Sequence, residues 1–157
     1  MTIDDPDKVR RILGILKEVT VIFAQAQIEV GADALTLGDQ ATGDLCSPKT
    51  YRDFLMPVHK ELEEGMSCPL ILHICGDTTD RLNYISQTKI DCFHFDSKVD
   101  AFKAKEIVKD KLILMGNGDN PATLLKGTPE KVRKEIFRVI EAGVEIAKEH
   151  CREGKNL

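Results

Sequence analysis

A chain of 157 residues, 42% hydrophobic and 31% charged, is long enough for one domain with a real core. Its net charge of −4 provides no basic surface for nucleic acid or an anionic membrane. Apolar runs such as Pro69 to Ile74 are far too short to span a bilayer, and the acidic N-terminus Met-Thr-Ile-Asp-Asp-Pro-Asp has no secretory core, so a cytoplasmic protein is expected.

Asp5-Pro6 predicts a helix start, with apolar residues at helical spacing through Val9, Ile12, Leu13, Leu16, Val19 and Ile22, and Gly31 as its end. Ala32 to Leu37 reads as a strand that stops at Gly38-Asp39. Ser47-Pro48 repeats the cap-plus-proline signal, and the helix that follows runs towards Gly65, with Pro57 expected to kink or interrupt it. Leu70 to Cys75 is the second strand, and Thr78 or Thr79 caps a short helix through Arg81 to Ser86. Asp91 to Asp96 is the third strand, Asp100 to Val108 the next helix, and Leu112 to Met115 the fourth strand. Thr128-Pro129-Glu130 starts a last helix that runs at least to Ala142, and Val144 to Ala147 is a candidate fifth strand.

Alternating helices and strands imply parallel strands joined by right-handed crossovers, an α/β fold with its ligand site at the carboxyl ends of the strands. The strands end in Gly38-Asp39-Gln40, Gly76-Asp77, Asp96-Ser97 and Gly116-Asn117-Gly118. His73 and Cys75 lie at such an end. Residues two apart on a strand share a face, so these two offer an imidazole nitrogen and a sulfur to one metal, a donor set that suits zinc. The five cysteines (Cys46, Cys68, Cys75, Cys92 and Cys151) contain no CxxC pair and read as reduced thiols, for which burial as a small hydrophobe is the ordinary fate. Cys92 and His94 form a second thiol and imidazole pair on one strand face, and they could be rival ligands if that strand neighbours the His73 strand. His59, on a helix, is expected at the surface, as is His150. Asp39 and Asp96 face the presumed mouth and could orient a metal-bound histidine or contact substrate, against the ordinary role of a cap or loop carboxylate. Asn117 could bind substrate or brace a turn.

The segment His73-Ile74-Cys75-Gly76-Asp77-Thr78-Thr79 resembles the zinc motif of the methylcobamide:coenzyme M methyltransferases, within the uroporphyrinogen decarboxylase-like superfamily. The resemblance extends to Gly31-Ala32-Asp33, Gly43-Asp44-Leu45-Cys46-Ser47-Pro48, Asp96-Ser97-Lys98-Val99-Asp100, Met115-Gly116-Asn117 and Leu125-Lys126-Gly127-Thr128-Pro129-Glu130-Lys131-Val132. It implies a TIM-type β/α barrel, of which residues 1–157 would be a single domain matching the C-terminal half. It also implies zinc held by His73, Cys75 and a late cysteine, for which Cys151 stands at the matching offset after Gly143-Val144-Glu145-Ile146. The intervening Ala147-Lys148-Glu149-His150 is charged and helix-favouring where the family continues a strand into a turn. The competing reading of Cys151 is an exposed residue on a helix end.

The resemblance implies methyl transfer from a methylated corrinoid, carried by a partner protein, to a thiol such as coenzyme M. A tetrapyrrole decarboxylase is the alternative within the superfamily, and the His-x-Cys pair argues against it. Half a barrel leaves parallel edge strands unpaired, so the chain either pairs with a second copy or a complementary half-barrel chain, or is a non-catalytic truncated remnant.

Overall fold

The computed structural model describes residues 4–152, and for residues 142–152 the backbone alone. Helix α1 spans Pro6–Glu29, capped by the Asp5 carboxylate on the Lys8 N–H at 3.0 Å. Strand β1 is Leu35–Asp39. Helix α2 is one path in three segments: Pro48–Thr50, a π-helical turn Tyr51–Leu55, and Met56–Glu64. Strand β2 is Leu70–Ile74, and α3 joins a 3-10 turn Thr79–Arg81 to Leu82–Ile85. Strand β3 is Cys92–Phe95, α4 is Ala101–Val108, β4 is Ile113–Met115, and α5 is Pro129–Arg152.

The four strands form one parallel sheet in sequential order, β1-β2-β3-β4. Right-handed crossovers between consecutive neighbours put every connecting helix on the same face, the arrangement of a TIM-type barrel and not of a doubly wound sheet. Burial follows that geometry. Leu70, Leu72 and Ile74 turn into the helix-covered core with Phe93 and Phe95, all at 4% exposure or less. The opposite face carries two rows across the sheet: Thr36, Ile71, Cys92 and Ile113, then Gly38, His73, His94 and Met115. This would be the inside of a closed barrel, and in β4 it is open, with Ile113 64% and Met115 40% exposed. The chain is thus a partial TIM-type β/α barrel.

Several boundaries differ from the sequence reading. The first strand begins at Leu35, not Ala32. Helix α1 ends at Glu29, Gly31 takes a left-handed turn (φ +102°), and Leu35 is the first residue with a β2 partner, its N–H donating to Pro69 at 3.0 Å. Pro57 acts through the π-helical turn just before it. The proline ring lacks an N–H and would crowd the carbonyl of Asp53, and the wider turn relieves that crowding. A second π-helical segment, Asn120–Leu125, was not expected, although Asp119 caps it from Asp119-Asn120-Pro121, a cap-and-proline signal like the other three. Val144 to Ala147 is not a strand, because α5 runs on through Arg152. Its glutamates, lysine and alanine favour helix over the strand of the resemblance.

Candidate metal centre

His73 is placed by its strand. Its neighbours Leu72 and Ile74 are fully buried on the helix side, which fixes the register and turns His73 to the inner face, opposite Gly38 on β1 and His94 on β3. The imidazole Nδ1–H donates to the His94 carbonyl at 3.0 Å. A carbonyl can only accept, so this bond selects the tautomer that leaves the Nε2 lone pair free. Nε2 lies 2.9 Å from Cys75 Sγ. The two donor atoms therefore converge. This donor set and tautomer fit a borderline-soft cation such as zinc.

Cys75 stands one residue past the end of β2 and is exposed. Its position is set by Gly76, which has φ +81° and whose N–H donates to the Asp96 carboxylate at 3.0 Å. A Cβ at Gly76 would meet Thr42 Oγ1 at 2.4 Å, so both conformation and space require glycine. Burial alone would raise the Asp96 carboxyl. The N–H groups of Gly76 and Lys98, with the Ser97 hydroxyl, outweigh it and hold Asp96 below the ordinary carboxylate range. Asp96 thus fixes the peptide after Cys75, the loop-carboxylate role that the sequence offered beside orienting a histidine or contacting substrate.

Asp39 was expected at the mouth and is turned to the helix side. Its carboxylate binds His59 Nε2 at 2.8 Å and the Ala41 N–H at 2.8 Å. His59, expected at the surface, is 3% exposed, and its Nδ1 lies 2.9 Å from the Tyr51 hydroxyl. Burial, and then the Asp39 charge, push the Tyr51 phenol far above its ordinary value. An ionised carboxylate can only accept, so His59 Nε2–H donates to Asp39, and the bond between His59 Nδ1 and the Tyr51 hydroxyl completes the chain. Asn117 is also buried, its Nδ2 donating to the Val99 carbonyl at 2.6 Å and the Asp96 carbonyl at 3.3 Å.

The rival pair shares the inner face with His73. The His94 ring lies 4.5 Å from the His73 ring, centroid to centroid, and backs onto Gly116, where a Cβ would come within 2.9 Å of it. Burial, then the repulsion that His73 would exert if both rings were protonated, pull His94 below the ordinary histidine value. Cys92 is one row further from the mouth, opposite Ile71, and burial pushes its thiol up. Among the described residues no three His, Cys, Asp or Glu side chains gather as a metal site. The side chains of Cys151 and His150 lie outside the described residues.

Arg81 was not anticipated. It has 0% exposure, and its guanidinium donates to the carbonyls of Ala41 (2.7 Å) and Cys46 (2.9 Å), to Cys46 Sγ (3.1 Å) and to Asp80 (2.8 Å). The Gly43 N–H donates to the Asp77 carbonyl at 3.0 Å. Together these bonds lace the loop after β1 to the loop after β2, beside Cys75. No pattern in the sequence marks Arg81, because an isolated arginine reads as surface by default.

The family model described as Uroporphyrinogen decarboxylase (URO-D) matches residues 1–151. The chain belongs to the uroporphyrinogen decarboxylase family. Within this family it is similar to methyltransferases and also to uroporphyrinogen decarboxylases, one of them, from Chlorobium limicola, 30% identical over 142 residues, covering 87% of this chain and 39% of that one. It is 35% identical over 148 residues to a methylated-thiol–coenzyme M methyltransferase of Methanosarcina mazei, covering 94% of this chain and 40% of that protein. It is 30% identical over 152 residues to the methylcobamide:CoM methyltransferase MtaA of Methanosarcina barkeri, covering 96% of this chain and 45% of that one. A solved methyltransferase structure from M. mazei superposes with a TM-score of 0.87 at 30% identity, over 90% of this chain and 43% of that chain. The chain therefore spans less than half the length of these relatives. No helix among its described residues is long and apolar enough to cross a membrane.

Proposed function

We propose that this chain is the metal-bearing part of a methyltransferase that moves a methyl group from a methylated corrinoid, carried by a partner protein, to a thiol such as coenzyme M. The observation that carries this reading is the convergence of His73 Nε2 and Cys75 Sγ at 2.9 Å, with the imidazole tautomer fixed by the His94 carbonyl. Similarity to methylcobamide:CoM methyltransferases supports the reaction class.

His73 and Cys75 would hold a zinc ion, with Cys151 as the third protein ligand. Bound zinc would favour the thiolate form of a substrate sulfur in its open position. The residues of the chain have distinct tasks. The β2 ladder holds His73, and Asp96, through Gly76, holds Cys75. The loops laced by Arg81 wall the mouth where the thiol enters. The thiol proton leaves to solvent, sulfur takes the methyl group, and the electron pair of the broken bond stays with the corrinoid.

Zinc content of the purified chain, with His73→Ala and Cys151→Ala alongside, tests the reading. Near-stoichiometric zinc that both substitutions remove is the expected result. Zinc retained without Cys151 would move the third ligand to Cys92, His94 or a partner chain. No zinc in the parent chain would overturn the catalytic reading for the chain alone.

A further inference from the structure

The Asp96 carboxylate that holds the peptide after Cys75 also accepts the Lys98 N–H, at 3.0 Å. The base of Lys98 is thereby fixed beside Cys75. The rest of its turn is held as firmly. Val99 is buried and its N–H donates to the Asp96 carbonyl at 3.1 Å, and the Asn117 amide donates to the carbonyls of both Val99 and Asp96. From this rigid turn the Lys98 side chain, 63% exposed, reaches over to Asp44 in the loop after β1, at 3.9 Å. Asp44 Oδ2 in turn lies 3.8 Å from where a Gly76 Cβ would stand. The ion pair therefore spans the loops after β1 and β3, above the peptide that follows Cys75.

That pair does little for stability. Asp44 is 75% exposed, and an ion pair so exposed is weak and screened by salt, so a competing anion can displace the carboxylate. Along residues 40–47, 75–81 and 96–100 the cations are Arg81 and Lys98. Arg81 is buried with its donors engaged by Ala41, Cys46 and Asp80, which leaves Lys98 as the one able to change partner. The surroundings are otherwise acidic, with Asp44, Asp77 and Asp96 on the same loops. Two protein thiolates and a substrate thiolate would also outweigh the charge of a zinc ion. A negative tail on the substrate would be repelled by all of these groups, and Lys98 is placed to reverse that sign.

We propose that Lys98 selects thiols that carry an anionic group at the far end of a short chain, exchanging Asp44 for that group as the thiol enters. The proposal rests on the metal-centred reading above and adds to it the residue that reads the substrate's tail. Lys98 is a specificity residue, since it meets the tail and not the reacting sulfur. Asp44 holds its place in the empty mouth. Asp96 and Asn117 are positioning residues, which fix the turn from which Lys98 reaches.

The test is binding of small thiols to the full chain loaded with cobalt(II), with sulfur ligation read from the thiolate-to-metal absorption. The probes are 2-mercaptoethanesulfonate, 2-mercaptoethanol and 2-mercaptoethylamine, which carry the same sulfur on the same carbons with negative, neutral and positive tails. The ratio of sulfonate to alcohol affinity, taken within each variant, cancels any general loss of metal or fold. The expected ratio in the parent chain is about fivefold in favour of the sulfonate, shrinking as salt is added. Lys98→Ala should abolish the preference, Lys98→Arg should keep it, and Lys98→Glu should turn it towards the amine. Asp44→Asn removes the competing carboxylate and should raise the ratio about twofold. A parent ratio near one, or a ratio that Lys98→Ala leaves intact, would overturn the proposal while the metal-centred reading stands. A chain that takes up no metal, or binds none of the thiols, would overturn that reading and the proposal with it.

Discussion

Asp39 ends its strand facing away from His73, and its carboxylate links β1 to α2 through His59 and Tyr51. Burial alone would raise its pKa, but the hydrogen bond and charge of His59, with backbone N–H groups at Ala41 and Gln40, hold it below the ordinary value. The folded state therefore prefers the ionised form more than the unfolded chain does. That preference stabilises the fold above about pH 4 and is lost as pH falls through the depressed value. Thermal unfolding followed against pH should show the melting temperature falling below about pH 4, and Asp39→Asn should flatten that part of the curve. His59→Phe strands the Tyr51 hydroxyl and the Asp39 carboxylate together. We expect it to cost about 2–3 kcal/mol at neutral pH, read as a lower urea midpoint with an unchanged slope. The position of His59 had a signal in the sequence. Leu55, His59 and Leu62 follow helical spacing, and Leu62 is 3% exposed, so the histidine falls on the buried face. For a histidine whose partners stand 8 and 20 residues upstream, spacing is a better guide than residue type.

At the scale of elements, the loops after β1 and β2 behave as one unit because a single buried guanidinium holds both. Arg81→Leu removes that fork and leaves the Ala41 and Cys46 carbonyls without their donor. A loss of about 3 kcal/mol is expected. Arg81→Lys keeps the charge but cannot reach two carbonyls in one plane, so it should recover only part of that loss. Chemical denaturation of both variants measures the difference. The alternation of helix and strand, the proline-marked helix starts and the shared face of His73 and Cys75 were all legible, since each depends on neighbours within a few residues. Strand ends were less so. The turn through Gly31 delays β1 to Leu35, and β2 stops one residue short of Cys75, because register depends on the partner strand. The fate of Val144 to Ala147 turned on local helix preference against the resemblance, and local preference prevailed.

Across the whole molecule, β2 and β3 are paired on both sides while β1 and β4 are each paired on one. Amide hydrogen exchange should therefore be slowest at Leu72 and Phe93, both at 0% exposure, and faster at Thr36 and Gly38, whose N–H groups face the open edge. Uniform protection across all four strands would contradict the open sheet. What closes the barrel was not legible in 157 residues, because closure depends on strands that the described chain does not contain. The two fastenings of β1 also differ in kind. Asp39 can take up a proton, while Arg81, besides its bond to Asp80, holds two backbone carbonyls that have none to gain. Acid therefore releases the fastenings in a fixed order: the β1 tie to α2 slackens first, and the laced loops beside Cys75 outlast it.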